Sequence, residues 1–363
     1  MYKVNYINFS VVDANKYPDS DMVWDSLVSQ SDTGWCWHTR AWFKFVAAAK
    51  LGSVDMSFFV LENGIPVCIA PMMLCEVRYA EHEIREASFA GDPMPWPCAV
   101  AGRNDAEEFA IAEAIRRARM SGAGRISFSF SSPFRSLDRS EWFDFVLNQH
   151  GFLDTSYESH VVQLNADVLS QVRKRYRRDV SKYSKSFDIK ILSGNQVDDE
   201  IEQVYFELHV ADAGGMHRPR ESYSFQADLA RFDEGFFVAA YDKSSGNIVG
   251  MLLVSTSKKC AFDNSVAISP EFQPQCISHL LKWFAIEELL KRDFSTYELG
   301  ISYERPSYLL MPNDTQRGIS FFKRGWSRDG SRKLLSIEKY LNINTLELVT
   351  NFKLSLMRKF FQI

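Results

Sequence analysis

What this 363-residue chain lacks narrows its class before any motif is read. Its longer apolar runs, such as Gly250 to Val254 and Val67 to Leu74, fall far short of the roughly 20 residues that a bilayer-crossing helix needs. The opening MYKVNYINFSVVDANKYP has no apolar core of the kind a secretion signal carries. The 6 cysteines (Cys36, Cys68, Cys75, Cys98, Cys260, Cys276) are scattered without a CxxC pair. At this size and density a disulfide framework is not expected, nor is a metal site. Charge of one sign is also missing. A net charge of -4 and a pI near 6.0 give no global attraction to nucleic acid or anionic lipid. With 46% hydrophobic and 24% charged residues there is no signature of disorder. The expectation is a soluble, cytoplasmic protein of a reducing compartment, long enough for two ordinary domains.

What is present is an internal repeat. Phe58-Phe-Val-Leu61, Asn63-Gly64 and Pro66-Val-Cys-Ile-Ala70 read as strand, tight turn and strand. Phe236-Phe-Val-Ala-Ala240, Ser245-Gly-Asn247 and Ile248 to Val254 read the same way. A helix follows each hairpin: Ala106 to Met120, with Asp105 as expected N-cap and Gly-Ala-Gly as its stop, and Ile277 to Lys291. Each helix leads into a strand, Arg125 to Phe130 and Ser295 to Leu299. Next, Trp142 to Phe152 matches Ile319 to Trp326, each a short helix ended by glycine and an aromatic, before final strands Ser159 to Leu164 and Lys333 to Leu341. The offset stays at about 171 to 178 residues throughout, as duplication requires. The expected fold class is α/β, each copy a mixed sheet with flanking helices.

Between the copies lies a basic, weakly amphipathic segment, Ser170 to Ser186, with Val172, Tyr176, Val180 and Tyr183 at helical spacing. The run Arg173 to Arg178 invites a nucleic-acid reading, but Asp179 and the helical period favour a solvated linking helix. A second amphipathic helix, Asn344 to Ile363, closes the chain and offers peripheral contact with a membrane surface, although packing on a domain is the commoner fate. The expected boundaries are 1–165, 166–342 and 343–363.

Tyr297-Glu-Leu-Gly300 and Gly318-Ile-Ser-Phe-Phe-Lys-Arg-Gly-Trp326 carry a family resemblance, supported by the basic segment 173–185 and Trp35-Cys-Trp-His-Thr-Arg-Ala-Trp42. The chain resembles the Fem-type branch of the GNAT acyltransferase superfamily, over roughly residues 20 to 340. That resemblance implies tandem GNAT-like domains that transfer an acyl or aminoacyl group to an amine. One departure concerns coenzyme A. GNAT enzymes cradle its pyrophosphate in a glycine-bearing loop that opens a helix, whereas Ser269 to His279 here contains no glycine. The helix N-terminus remains, which makes Gln275 and Ser278 the expected cofactor contacts. The branch's long helical-hairpin arm, common in its tRNA users, is not found inserted. The expected function is therefore N-acyl transfer from acyl-coenzyme A to the amine of a nucleotide-linked amino sugar, for surface polysaccharide (O-antigen or capsule) synthesis, with no DNA or tRNA partner. An aminoacyl-tRNA-dependent peptidyl transferase and a non-catalytic GNAT-fold binding protein are the alternatives.

Acyl transfer needs an unprotonated amine, a carbonyl held near it and a donor for the developing oxyanion. Lys323 is the first candidate donor, because the first copy has Gln149 there and the resemblance brings this lysine to a phosphate or the reacting carbonyl. Its plain alternative is a solvated helix lysine. His217 and Arg218, in the loop Ala213-Gly-Gly-Met-His-Arg-Pro-Arg220, offer a proton acceptor and a bidentate phosphate anchor. Asp263 and Asn264 interrupt an apolar strand, where a carboxylate in a cleft would take the amine proton, and a turn or bulge pair is the plain reading. Glu298 is expected to face away from its apolar neighbours. Tyr303, Arg305 and Arg317 belong to a long loop, 301–318, suited to covering the acceptor. Trp37, His38, Arg40 and Trp42 offer a stacking and phosphate-binding wall, two of the tryptophans being core in the plain reading.

Overall fold

The computed structural model describes residues 8–130, 147–304, 312–327 and 330–361. They form two compact units, the first holding the described residues of 8–157 and 334–361 and the second those of 158–304 and 312–333.

In the first unit, β1 (Phe9–Asp13), β3 (Phe58–Glu62), β4 (Ile65–Ala70) and β8 (Cys98–Ala99) form a small antiparallel sheet. Asn63 and Gly64 both take positive φ, which is why this dipeptide makes the β3–β4 turn. A second sheet sets β9 (Arg125–Phe130) beside β6 (His82–Ala87), which pairs with β5 (Met73–Tyr79), itself paired with β2 (Val54–Asp55). Helices α1 (Ser20–Gln30), α2 (Arg40–Ala49) and α3 (Asn104–Met120) complete the unit. Asp105 is not the cap of α3. Arg103 holds that position without a side-chain cap, and Asp105 pairs with its guanidinium from inside the first turn.

Residues 335–340 of the last strand, Ser331–Tyr340, pair antiparallel with β9. The strand expected to end the second copy thus supplies its C-terminal part to the first unit. Arg125 explains the attachment, since its buried guanidinium bonds both Glu86 and Glu338. The C-terminal helix Ile343–Phe361 packs on the same unit through fully buried Val349 and the edge-on rings of Phe352 and Tyr79. No helix among the described residues is long and apolar enough to cross a membrane.

The second unit carries β12 (Phe187–Leu192), β13 (Gly235–Asp242), β14 (Ile248–Ser257) and β15 (Cys260–Ile268) as an antiparallel run. β16 (Thr296–Ile301) then joins parallel to β15, with Tyr157–Gln163 antiparallel on its far side. On one face, α4 (Lys174–Tyr183) and α7 (Ile277–Lys291) bury Tyr176, Val180, Leu280 and Leu281 with Phe236 and Val238. On the other, α5 (Asp199–Ala213) and α6 (Arg220–Arg231) bring Tyr205 and Tyr223 near Phe237. Covering both faces is why Gly235–Ala240 is buried at every position and apolar throughout instead of alternating. The last helix, α8 (Asp314–Ser327), lies on α4: a side chain on Gly325 would collide with the Tyr176 ring, and Tyr176 donates from its hydroxyl to the Phe322 carbonyl.

Candidate active site

The parallel pairing of β15 and β16 lasts only from Cys260–Phe262 against Thr296–Glu298. Beyond it the two strands separate, and residues 263–268 keep β14 on one edge while the other edge is unpaired by β16. Both strands are bulged where they part. Leu253 faces Ser265 and Val254 faces Asp263, which leaves Asn264 as the extra residue of β15. His160 faces Gly300 and Val161 faces Glu298, which leaves Leu299 as the extra residue of β16. Bulges re-aim side chains and end pairing, and here they open a wedge at the carboxyl ends of two parallel strands.

Lys323 on α8 reaches this wedge. Its Nζ donates to the Ile301 carbonyl at 3.3 Å and would stand 3.3 Å from a Cβ placed on Gly300. Gly300 has φ of 83°, so the motif glycine both turns the end of β16 and leaves room for the amine. Burial lowers the Lys323 pKa to about 8, against the opposing pull of Glu298. Such an amine is mostly charged at neutrality and loses its proton near pH 8, so it can donate below that value and accept above it.

Three groups tied to Lys323 or to Glu298 were not singled out from the sequence. His160 is 3% exposed, and burial followed by the charges of Lys323 and Arg324 lowers its pKa to about 4. Its Nδ1 meets Ser327 Oγ at 3.3 Å and its Nε2 is buried without a hydrogen-bond partner. Lys282 on α7 ion-pairs with Asp263, and burial together with the Lys323 charge pushes its pKa well below the ordinary lysine value. Arg332 pairs with Glu298, which also accepts from Ser159 Oγ at 2.7 Å. The polar triplet Glu158-Ser-His160 inside an apolar strand was the available signal for His160. Lys282 carried none beyond being a charge on the buried face of a helix.

The candidates divide accordingly. Lys323, Asp263 and Glu298 gather at the wedge, the last two through Lys282 and Arg332. Glu298 is 1% exposed, sealed in by its partners and not open to a cleft. Asn264 belongs to another network: it donates to Ser255 Oγ at 2.7 Å and accepts from Gln226 at 2.9 Å, and the same Gln226 takes Arg218. Arg218 lies over the Tyr223 ring at 4.1 Å. His217 is exposed and bonds to the Ala213 carbonyl at 3.0 Å, closing the end of α5. His209, in contrast, is carried to Ser265 on β15 at 3.0 Å, and burial lowers its pKa to about 4. The Tyr303 backbone N–H donates to Ser320 Oγ at 2.5 Å, Arg317 pairs with Asp314, and Arg305 lies outside the described residues. In the first unit, Arg40 is taken up by Asp21 at 2.8 Å and Asp55 at 3.1 Å, Trp37 stacks on Trp42 at 5.9 Å, and His38 is buried against the Trp96 carbonyl.

Residues 201–307 match the acetyltransferase (GNAT) family. No curated protein sequence matches the chain. Among solved structures, FemX aligns with a TM-score of 0.64 at 12% identity, covering 91% of this chain and 98% of its own. L-PGS from Bacillus licheniformis gives 0.58 at 11% identity, over 93% and 97%. A tandem GNAT protein from the clavulanic acid biosynthesis pathway gives 0.53 at 12% identity, over 92% and 98%. The chain has a tandem GNAT fold. Its second unit carries a segment of the acetyltransferase (GNAT) family.

The GNAT fold generally uses acyl-coenzyme A. The loop where such enzymes hold pyrophosphate is here a 3-10 turn, Pro270–Gln275, followed by Cys276 at φ of 52° and then α7. Gln275 and Ser278 flank that helix start, whose first amides have no side-chain cap. The helix start therefore persists without the glycines.

Proposed function

We propose that the chain is an N-acyltransferase that moves an acyl group from acyl-coenzyme A to the amine of a nucleotide-linked amino sugar, in the synthesis of a surface polysaccharide. The observation that carries the acyl-transfer reading is the Lys323 amine at the mouth of the β15–β16 wedge, with its pKa lowered to about 8. In this reading the unpaired edge of β15 offers backbone groups to the amide-bearing arm of the donor, as an exposed strand edge does for any extended ligand. The sugar amine attacks the thioester carbonyl carbon, the C–S bond breaks, and coenzyme A leaves as its thiolate. Lys323 donates to the oxyanion, while the Asp263–Lys282 pair receives the amine proton. Arg218, held between Gln226 and Tyr223, serves as the phosphate anchor.

Thermal unfolding with acetyl-coenzyme A, free coenzyme A, and UDP- and dTDP-linked amino sugars tests the proposal. A ligand at a hundred times its Kd adds about 2.7 kcal/mol. Stabilisation by a coenzyme A species and one nucleotide sugar is expected, and no shift with any coenzyme A species sinks the donor assignment.

One observation favours a second reading, an aminoacyl-tRNA donor. Arg173, Lys174, Arg177 and Arg324 line a groove of about 460 Å³, and Lys174 and Arg177 have no acidic partner among the described residues. The FemX and L-PGS likenesses bear on the fold alone. Loss of activity on ribonuclease treatment would decide for this donor.

A further inference from the structure

The Arg173–Arg178 segment also supplies Asp179, and α4 lays that carboxylate against the start of α7. Asp179, Cys276 and His279 each bring one potential ligand atom to within 4.8 Å of the other two. His279 is 8% exposed, and its Nδ1 stands 3.2 Å from Asp179 Oδ2. The two atoms are buried without an aligned hydrogen bond, and the remaining charged neighbour of Asp179 Oδ2 is Arg175 Nε at 3.9 Å. Buried polar atoms without a hydrogen bond call for an explanation. Two ligands of one tetrahedral ion, each about 2.0–2.1 Å from it, stand about 3.3 Å apart with their lone pairs turned to the ion and not to each other. The observed separation and misalignment fit that arrangement.

We propose that Asp179, Cys276 and His279 form a three-ligand site for a zinc-like divalent metal. The donor set selects the class of ion. One thiolate sulfur and one imidazole nitrogen suit zinc and the later first-row metals, whereas magnesium and calcium require oxygen ligands. Cys276 and His279 are one helical turn apart, so α7 presents both, and the left-handed backbone of Cys276 starts that turn. The imidazole is held in place by stacking on Tyr176 at 4.2 Å and Phe322 at 5.4 Å. Binding displaces the thiol proton of Cys276, and three protein ligands leave a fourth position for water or an anion. Nothing in this assignment depends on the acyl donor or acceptor.

Cobalt(II) titration of the chelator-treated full-length chain, followed by optical absorption, tests the site. One equivalent is expected to give a thiolate-to-cobalt charge-transfer band that one equivalent of zinc removes. Cys276→Ser should abolish the band while circular dichroism is unchanged. Asp179→Asn should keep the band and weaken binding at least about tenfold. Absence of the band, its persistence in Cys276→Ser, or unaltered affinity in Asp179→Asn each overturns the proposal.

Discussion

Lys323 sits where two opposite roles are chemically available, and its titration separates them. Below about pH 8 its amine is charged and can donate to an oxyanion, and above that it is neutral. A donor role therefore predicts a fall in kcat/KM as pH rises through about 8, superimposed on the acceptor amine's own titration. Lys323→Arg keeps a cation at every accessible pH, so that falling limb should vanish in this variant. Lys323→Met should lower kcat by about 10²–10³ with little change in KM, the usual cost of removing one oxyanion donor. Should the wild type instead gain activity through pH 8 and Lys323→Arg lose that gain, the lysine is the base. Asp263 and Lys282 are poorer probes, because removing one member of a buried ion pair strands the other and costs about 3–5 kcal/mol of stability.

At the scale of elements, the two glycines of Gly318-Ile-Ser-Phe-Phe-Lys-Arg-Gly325 have opposite reasons to be there. A Cβ on Gly325 would come within 2.1 Å of the Tyr176 ring, so α8 can lie on α4 only while that position is bare. A Cβ on Gly318 meets nothing within 4 Å on an exposed turn of the same helix. Gly325→Ala is thus expected to lower the urea midpoint by the equivalent of about 1–3 kcal/mol, while Gly318→Ala raises it by up to about 1 kcal/mol through helix propensity. Equal effects would mean that the α4–α8 contact does not govern the position. This pair also marks how far the sequence can be read. Hairpins and helices were legible where local chemistry dictates them: Asn63-Gly64 needs positive φ, and the helix expected over Ile277–Lys291 matches the observed one end to end. Contacts between distant segments left no local trace. The β5–β6 hairpin turns at Ala80 without a glycine, and residues 335–340 belong to β9 because Arg125 holds Glu338. Lys323 could be found because its motif is local. His160, Lys282 and Asp179 acquire meaning only once strands and helices far apart in the chain bring their partners to them.

At the scale of the whole chain, the second unit carries an acid sensitivity in buried imidazoles, His160, His209 and His279 among the described residues. His160 and His209 each have a pKa of about 4 in the folded state against 6.5 for the ordinary group, burial being the main cause of both. Between those values the unfolded chain binds protons that the folded chain refuses. Stability is therefore full above about pH 6.5 and falls as pH drops toward 4, by up to roughly 2–3 kcal/mol for each histidine. The loss belongs to the unit that contains both residues. Hydrogen exchange compared at pH 7 and pH 4.5 should show protection falling in Tyr157–Gln163 and β15 while β9 keeps more of its own. His160→Gln with His209→Gln removes both titrations, so the double variant should show a flatter decline across this window. If its stability drops with pH as steeply as the parent's, the acid response arises from His279 or the carboxylates, and His160 and His209 are only passengers in the core.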